Sequence, residues 1–289
     1  MERTAFVADS TLGLSPQAAL ERGIYLIPQQ VILEGQSYRD YVEMTPEEVI
    51  RAQLAGKKVS TSQISAVDLE ALYKDLLEQF DRIVSVHVSS KLSGTYSTAC
   101  KVAEKFGNRV KVIDGLTLNG GLSFVIEEAR RKLAAEYRPG RAANAASPGV
   151  PWDRLKEAVA PLVQRLRGFV LPATLEYLYR GGRIGGLQHF IGSLLKLLPV
   201  LEVKDGLVQP LERARGWNKG LQQLAEAFHK AFPEGARVVL AHAYNPQGVE
   251  ELRKLISHEG VVIEDVRECG PAVAAHTGPG TVALFAAPH

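Results

Sequence analysis

The first half of the chain alternates short, almost continuously apolar runs with longer segments whose apolar residues recur every three or four positions. Residues 4–8, 24–33, 83–88 and 110–113 read as strands, because runs of this length bounded by polar turns suit strands buried on both faces. Between them the helix signals are local. Ser15 precedes Pro16, an N-cap followed by proline at the first helical position, and Gly23 closes that segment. Thr45 and Glu48 stand at capping-box spacing ahead of a helix that Gly56 ends. Ser65 and Asp68 open another, with Val67, Leu69, Leu72, Leu76, Leu77 and Phe80 near helical period. Further helices are expected at about 95–106 and 119–133. Strand–helix alternation implies right-handed crossovers, so the pattern predicts a parallel sheet covered by helices on both faces. Ligands of such sheets sit off the carboxyl ends of the strands, which directs attention to residues 9–11, 89–95 and 114–119.

Around residues 139–151 the sequence turns rich in Gly, Ala and Pro and reads as a linker or loop. Beyond it the pattern changes. Residues 169–171 and 200–203 look like strands, and Lys204-Asp205-Gly206 is a hairpin turn into a further strand at 207–211. Helices at about 217–232 and 247–258 alternate with strands at 237–241, 261–266 and 281–286. The expected fold class is α/β in two domains. An N-terminal parallel-sheet α/β/α domain spans 1–165, and a C-terminal mixed-sheet α/β domain spans 166–289.

Composition narrows the function classes. A length of 289 residues suits two domains. A net charge of +2 exerts no overall pull toward nucleic acid, and none is expected as a partner. Cys100 and Cys269 are too few for a disulfide framework. The N-terminus reads as a strand rather than a secretion signal, and the apolar stretch at 191–203 is interrupted by Lys196 and Pro199 and is too short to span a bilayer. A cytoplasmic, non-integral protein is therefore expected. No P-loop, dinucleotide fingerprint, HExxH or GxSxG is present, and the seven histidines lack metal-ligand spacing. No metal and no cofactor are expected.

Four polar segments, three of them containing glycine, stand out among the apolar runs: 59–63 (VSTSQ), 89–96 (SSKLSGTY), 175–185 (LEYLYRGGRIG) and 275–281 (AHTGPGT). With Asp9-Ser10-Thr11 and the Val112-Ile113-Asp114 strand end, these segments resemble, in order along the whole chain, the motifs of the DegV family of fatty-acid-binding proteins. Two features depart from the family pattern: Gly115 stands where Ser is usual, and the loop near 139–151 looks like an insertion. The resemblance implies a long-chain fatty acid in a cleft between the two domains, its tail in an apolar tunnel. It implies that Thr61, Ser93 and His276 meet the carboxylate, with Ser62, Gly94 and Thr277 beside them. It further implies a carrier rather than an enzyme, an acyl carrier of a bacterial fatty acid kinase. A separate dihydroxyacetone-kinase-like subunit would phosphorylate the presented carboxylate to an acyl phosphate for phospholipid synthesis. Arg183 and Arg213 are the candidate contacts to that subunit, and transient contact with a membrane surface fits the role.

Each residue also has a plainer reading. Thr61 and Ser62 fit a turn that satisfies its own backbone, Ser93 fits a cap on the helix after it, and His276 fits a satisfied core histidine. Gly181, Gly182, Gly185 and Gly186 suit turn chemistry alone, and Arg183 suits a solvated surface charge. Asp9 and Asp114 read as supports that bind loop amides. Two other functions use the same residues: an esterase or acyltransferase with Ser93 as nucleophile and His276 as base, and a sensor of a phosphate ligand built on the GGRIGG loop. Side chains such as Leu26, Ile191, Leu194 and Leu195 are candidates for the tail tunnel, without an assigned facing.

Overall fold

The computed structural model describes residues 2–134, 150–183 and 197–289. The loop at 139–149 and the residues Ile184, Gly185, Gly186, Ile191, Leu194 and Leu195 lie outside them. The chain begins with β1 (Thr4–Asp9), α1 (Pro16–Glu21), β2 (Ile24–Ile27), β3 (Gln30–Leu33), β4 (Gln36–Arg39), α2 (Pro46–Leu54) and β5 (Val59–Ser62). It continues through α3 (Ala66–Gln79), β6 (Arg82–His87), α4 (Thr95–Ala103), β7 (Val110–Asp114), α5 (Gly120–Ala134) and α6 (Leu155–Arg165). Strands β2, β1, β6 and β7 form an all-parallel sheet in that order. Successive residues of β1 serve opposite faces, as the strand period of two demands. Phe6 and Ala8 pack with Leu122, Ile126, Val159 and Val163 of α5 and α6, whereas Ala5 and Val7 pack with Leu69, Tyr73 and Val102 of α3 and α4. Helices on both faces leave no solvated side, which is why these strands read as unbroken apolar runs. The caps follow the sequence: Ser15, Thr45 and Ser65 each accept a backbone N–H of their helices, and Thr45 and Glu48 close the capping box.

Two expectations are corrected. Residues 24–33 are not one strand. Pro28 interrupts the run; β2 joins the parallel sheet, while β3 leaves it to form a separate antiparallel sheet in the order β4-β3-β5. Val67 is no core residue but 77% exposed, because it sits in the first turn on the outer face of α3.

The second half comprises β8 (Arg167–Leu171), α7 (Glu176–Arg180), β9 (Leu198–Lys204), β10 (Leu207–Ala214), α8 (Trp217–Ala231), β11 (Ala236–His242), α9 (Pro246–Ile256), β12 (Val261–Glu268), α10 (Pro271–Thr277) and β13 (Val282–Ala287). Its sheet is mixed, ordered β10-β9-β8-β13-β11-β12, with only β11 and β12 parallel among its neighbours. Asp205 and Gly206 turn the β9–β10 hairpin with φ of 50° and 79°, the positive values that such a two-residue turn needs. Phe169, Leu171, Val200, Val282 and Leu284 face α8 and α9. The alternate residues Val170, Leu201, Val203, Ala283 and Phe285 face the other way, toward α10 and toward Val31, Val49 and Ile50 of the small sheet and α2. The segment from β3 to β5 thus belongs to the N-terminal half in sequence and packs on the C-terminal sheet in space. Among the described residues no helix is long and apolar enough to cross a membrane.

Candidate functional site

A cavity of about 910 Å³, its open mouth included, lies on this second face of the mixed sheet. Its floor is apolar, made by Val170, Leu201, Val203, Ala283 and Phe285 from the sheet with Leu178, Val273 and Leu118 from α7, α10 and the loop after β7. The polar residues of its lining are Thr11, Gln29, Thr61, Ser93, Asn119, Arg183, His276, Thr277 and Thr281. They come from the segments after β1, β2, β7 and α7, from the loop before α4, from β5, from the end of α10 and from the residue before β13. The parallel-sheet rule and the motif segments meet at this wall.

Thr61 and His276, 215 positions apart, are joined by a hydrogen bond of 2.7 Å between Oγ1 and Nε2. Thr61 reaches the cavity because strand side chains alternate. Its neighbour Ser62 points to the opposite face of β5, is exposed and does not line the cavity. His276 sits in the last turn of α10. Gln53 of α2 donates to the Ala274 and Ala275 carbonyls at 3.1 Å each, which ties that turn to the N-terminal half. Gly181 packs against the other edge of the ring: a Cβ there would lie 2.0 Å from His276 Nδ1. Nδ1 is buried and has no hydrogen-bond partner among the described residues. Burial, with the Arg183 guanidinium nearby, pushes the imidazole down to about 4, so it is neutral at pH 7.

Ser93 Oγ lies 2.9 Å from Thr95 Oγ1 and accepts the Thr95 N–H at 3.2 Å; the N-cap of α4 is Gly94, so Ser93 does not cap that helix, and it lines the cavity. Gly94 is exposed and outside the cavity; a Cβ there would collide with Gln63 Oε1 at 1.9 Å. Thr277 is on the wall, its hydroxyl donated to the Val273 carbonyl of its own helix at 3.1 Å. Arg183 is not a solvated surface charge. It is partly buried on the cavity wall, with Nη1 on the Gly181 carbonyl at 2.6 Å and Nε on the Leu92 carbonyl at 3.2 Å. Arg213 is exposed on β10 and does not line the cavity. Leu26 packs beside α5 and α6, away from the lining.

The supports act as read. Asp9 accepts the Thr11 and Val88 amides at 3.0 and 2.8 Å, and Asp114 accepts the Ser90 and Leu116 amides at 3.1 Å each. Sequence reasoning missed Gln29, which is 3% exposed and whose carboxamide bonds Thr95 Oγ1. A polar residue directly after Pro28, between two apolar runs, was the available signal. Asn119, fully buried with a φ of 49°, was indicated only by its position after β7. Among the described residues no group of three or more His, Cys, Asp or Glu is arranged to hold a metal ion.

Proteins of known sequence and structure match throughout. A DegV-domain protein of Deinococcus radiodurans is 32% identical over 288 residues, covering 98% of both chains. One from Caldanaerobacter subterraneus is 28% identical over 291 residues, covering 99% of each. A Thermus thermophilus DegV protein, described for its fatty acid binding, superposes with a TM-score of 0.86 at 33% identity over 99% of this chain and all of its own. A Thermotoga maritima protein, described as revealing a fatty acid binding function, gives 0.81 at 28% identity over the whole of both chains. With the family's pattern matched from residue 3 to residue 289, on a fold that its solved members share, this chain belongs to the DegV family.

Proposed function

We propose that the protein carries one long-chain fatty acid, with the tail on the apolar floor of the cavity and the carboxylate at Thr61, Ser93 and His276. The observation that carries this reading is the Thr61–His276 pair, 2.7 Å apart, on the wall of a cavity whose floor is apolar. An acyl chain of about 14 methylenes, at roughly 0.8 kcal/mol each, supplies ~11 kcal/mol of gross burial before immobilisation is counted. The head group contributes orientation more than affinity, since its charge-assisted hydrogen bonds mainly offset the cost of burying a carboxylate. His276 serves this site through Thr61, as the Nε2–H tautomer. Its Nε2–H then donates to Thr61 Oγ1, which frees the threonine proton for the ligand and leaves Nδ1 an unmet acceptor rather than a more costly unmet donor.

In the same reading the protein performs no chemistry alone. It presents the carboxylate to a dihydroxyacetone-kinase-like subunit that forms the acyl phosphate, and Arg183 and the exposed Arg213 face that partner in the cytoplasm. The chain divides at 165/166, with the segment from β3 to β5 forming the N-terminal side of the ligand cleft. The fatty-acid-binding functions described for the Thermus and Thermotoga proteins support the ligand class. The esterase alternative finds less support. Ser93 is hydrogen-bonded to Thr95 rather than His276, and the His276 Nδ1 that an orienting carboxylate would engage is covered by Gly181.

Native mass spectrometry of protein purified without added lipid, followed by extraction, tests the proposal. About one fatty acid per chain is expected, and Ser93→Ala or His276→Ala is expected to retain lipid while lowering kinase-coupled phosphorylation. Turnover of a generic acyl ester that is lost in Ser93→Ala would overturn it in favour of the esterase.

A further inference from the structure

The lining of the apolar cavity carries a second polar position, set apart from Thr61, Ser93 and His276 by the layout of the fold. Ser93 stands just before α4 and Asn119 just before α5, and these two helices cover opposite faces of the parallel sheet. The cavity therefore crosses the carboxyl edge of that sheet from one face to the other. Helix α10 gives the same order: His276 lies in its last turn, whereas Cys269 precedes its N-cap Gly270, and both residues line the cavity. At roughly 1.5 Å of rise per residue these ends stand on the order of 10 Å apart, about half an extended octadecanoyl chain. Strand β13 agrees. Thr281, just before it, donates to the Thr277 carbonyl at 2.9 Å, beside His276. Phe285, further along, pairs with Val239, and Gly120 packs there so closely that a Cβ on it would lie 2.3 Å from the Val239 Cβ.

Asn119, at this far end, is fully buried. Its Oδ1 accepts the Gly120 N–H at 2.7 Å, which turns the side-chain nitrogen toward Cys269. That nitrogen carries two hydrogens, and among the described residues they meet only the Cys269 sulfur, at 3.9 Å. Sulfur is a weak acceptor, so a buried amide donor is left short of a partner beside apolar lining. The φ of 49° accounts for Asn or Gly at this position but not for the donor, since Gly holds the same backbone without one. Gly13 packs against the carboxamide, where a Cβ would lie 2.6 Å from Nδ2, so the amide is held in place. The surroundings are uncharged: burial pushes the Cys269 thiol up to about 12, and the Thr11 hydroxyl donates to Asp9. The missing partner is thus a neutral oxygen acceptor. We propose that the cavity favours acyl chains bearing an oxygen near mid-chain, as in keto or hydroxy fatty acids, with Asn119 Nδ2 donating to that oxygen. The inference rests on the carrier reading above. A plain saturated chain buries its methylenes equally well but leaves the amide unmet. An oxygenated chain gives up its own hydration and gains the amide bond in return.

The probes are stearate and a series of oxo-octadecanoates with one ketone at successive chain positions, each measured by displacement of a fluorescent fatty acid from delipidated protein. A ketone only accepts, so it reads the amide donor alone. In the wild type a mid-chain ketone is expected to bind roughly three- to tenfold more tightly than stearate, in line with one neutral hydrogen bond. Ketones near either end of the chain are expected to bind no better than stearate. Asn119→Gly keeps the positive φ and removes the donor, and is expected to make the mid-chain ketone and stearate bind alike. The wild type also reports the contact without any variant: the infrared carbonyl band of the bound mid-chain ketone is expected at lower frequency than in hexane. Equal affinity for stearate and every ketone, an unshifted band, or a preference that survives in Asn119→Gly overturns the oxygen-specific position and leaves the carrier intact. Failure of stearate itself to displace the fluorescent fatty acid, or of the fluorescent fatty acid to bind, overturns the carrier reading.

Discussion

Among the described residues, two clusters of hydroxyl and imidazole groups differ in access: one faces a cavity and the other does not. In the parallel sheet, Ser85 Oγ lies 2.8 Å from His87 Nε2, and His87 Nδ1 lies 3.1 Å from Asp9 Oδ2, all three residues fully buried. The residue types and the linear order are those of a hydrolase triad. Yet none of the three lines the cavity, and Asp9 is further engaged by Thr11 and Val88. Burial alone would raise the Asp9 carboxyl; hydrogen bonds from His87, Thr11 and Val88 outweigh it and hold the carboxyl below its usual range. This cluster links β1 to β6. At the cavity, by contrast, Thr61 and His276 leave a ring nitrogen unmet and a hydroxyl available beside apolar lining residues. Catalytic-looking chemistry without access is scaffolding, and modest chemistry with access is a site.

The largest expected effect comes from breaking the closed cluster. His87→Ala leaves Asp9 buried without its main hydrogen-bond partner, and leaving a buried carboxylate short of such a partner costs about 3 kcal/mol or more. A fall in Tm of roughly 6–12 °C or more is expected by calorimetry, with the fraction of folded protein still retaining its fatty acid. Loss of lipid without loss of stability would mean that the cluster belongs to the site.

The mouth should respond the other way. Gly181→Ala sets a methyl group against His276 Nδ1 and is expected to turn the ring away from Thr61. Fatty acid affinity should drop about tenfold, the worth of one hydrogen bond to a charged group, while Tm changes by no more than a few degrees. An unchanged dissociation constant would remove the pair from the head-group site.

A pH crossing runs along α10, which joins Asp40 at one end to His276 at the other. Asp40 accepts the Ser10 hydroxyl at 2.6 Å and the Ala272 amide at 3.3 Å, and burial still raises its carboxyl from 3.8 to about 7. The folded state then binds a proton that the unfolded state lacks, so this stability is present at acidic pH and is lost as pH rises from about 4 to about 7. His276 is lowered from 6.5 to about 4, so its contribution is present above 6.5 and is lost as pH falls toward 4. The two oppose each other in the wild type. Acidification from pH 7 to 4.5 should therefore destabilise Asp40→Asn and stabilise His276→Gln relative to the wild type, by at most about 1.4 kcal/mol per pH unit each. Parallel slopes for the two variants in chemical denaturation would rule out this pairing.

Local chemistry settled much of the fold in advance. Ser15, Thr45, Ser65 and the Asp205-Gly206 turn determine where elements start and reverse, because caps and tight turns are satisfied within a few residues of themselves. The unbroken apolar strands declared a sheet buried on both faces, and the polar segments marked the loops that line the cavity. Whether β3 stays with β2 or leaves for another sheet was not written locally, since both readings bury the same apolar side chains. Pairing with β4 and β5 and packing on the C-terminal sheet decided it. The same holds for function. Thr61, Ser93, His276 and Arg183 were visible one by one, but hydrogen bonding between positions 215 residues apart, the turn of Ser62 to the far face, and the facing of Arg183 into the cavity depend on how two sheets meet. Side-chain period and capping act over a few residues and are legible in one dimension; a cavity is the space left between elements, and only their packing creates it.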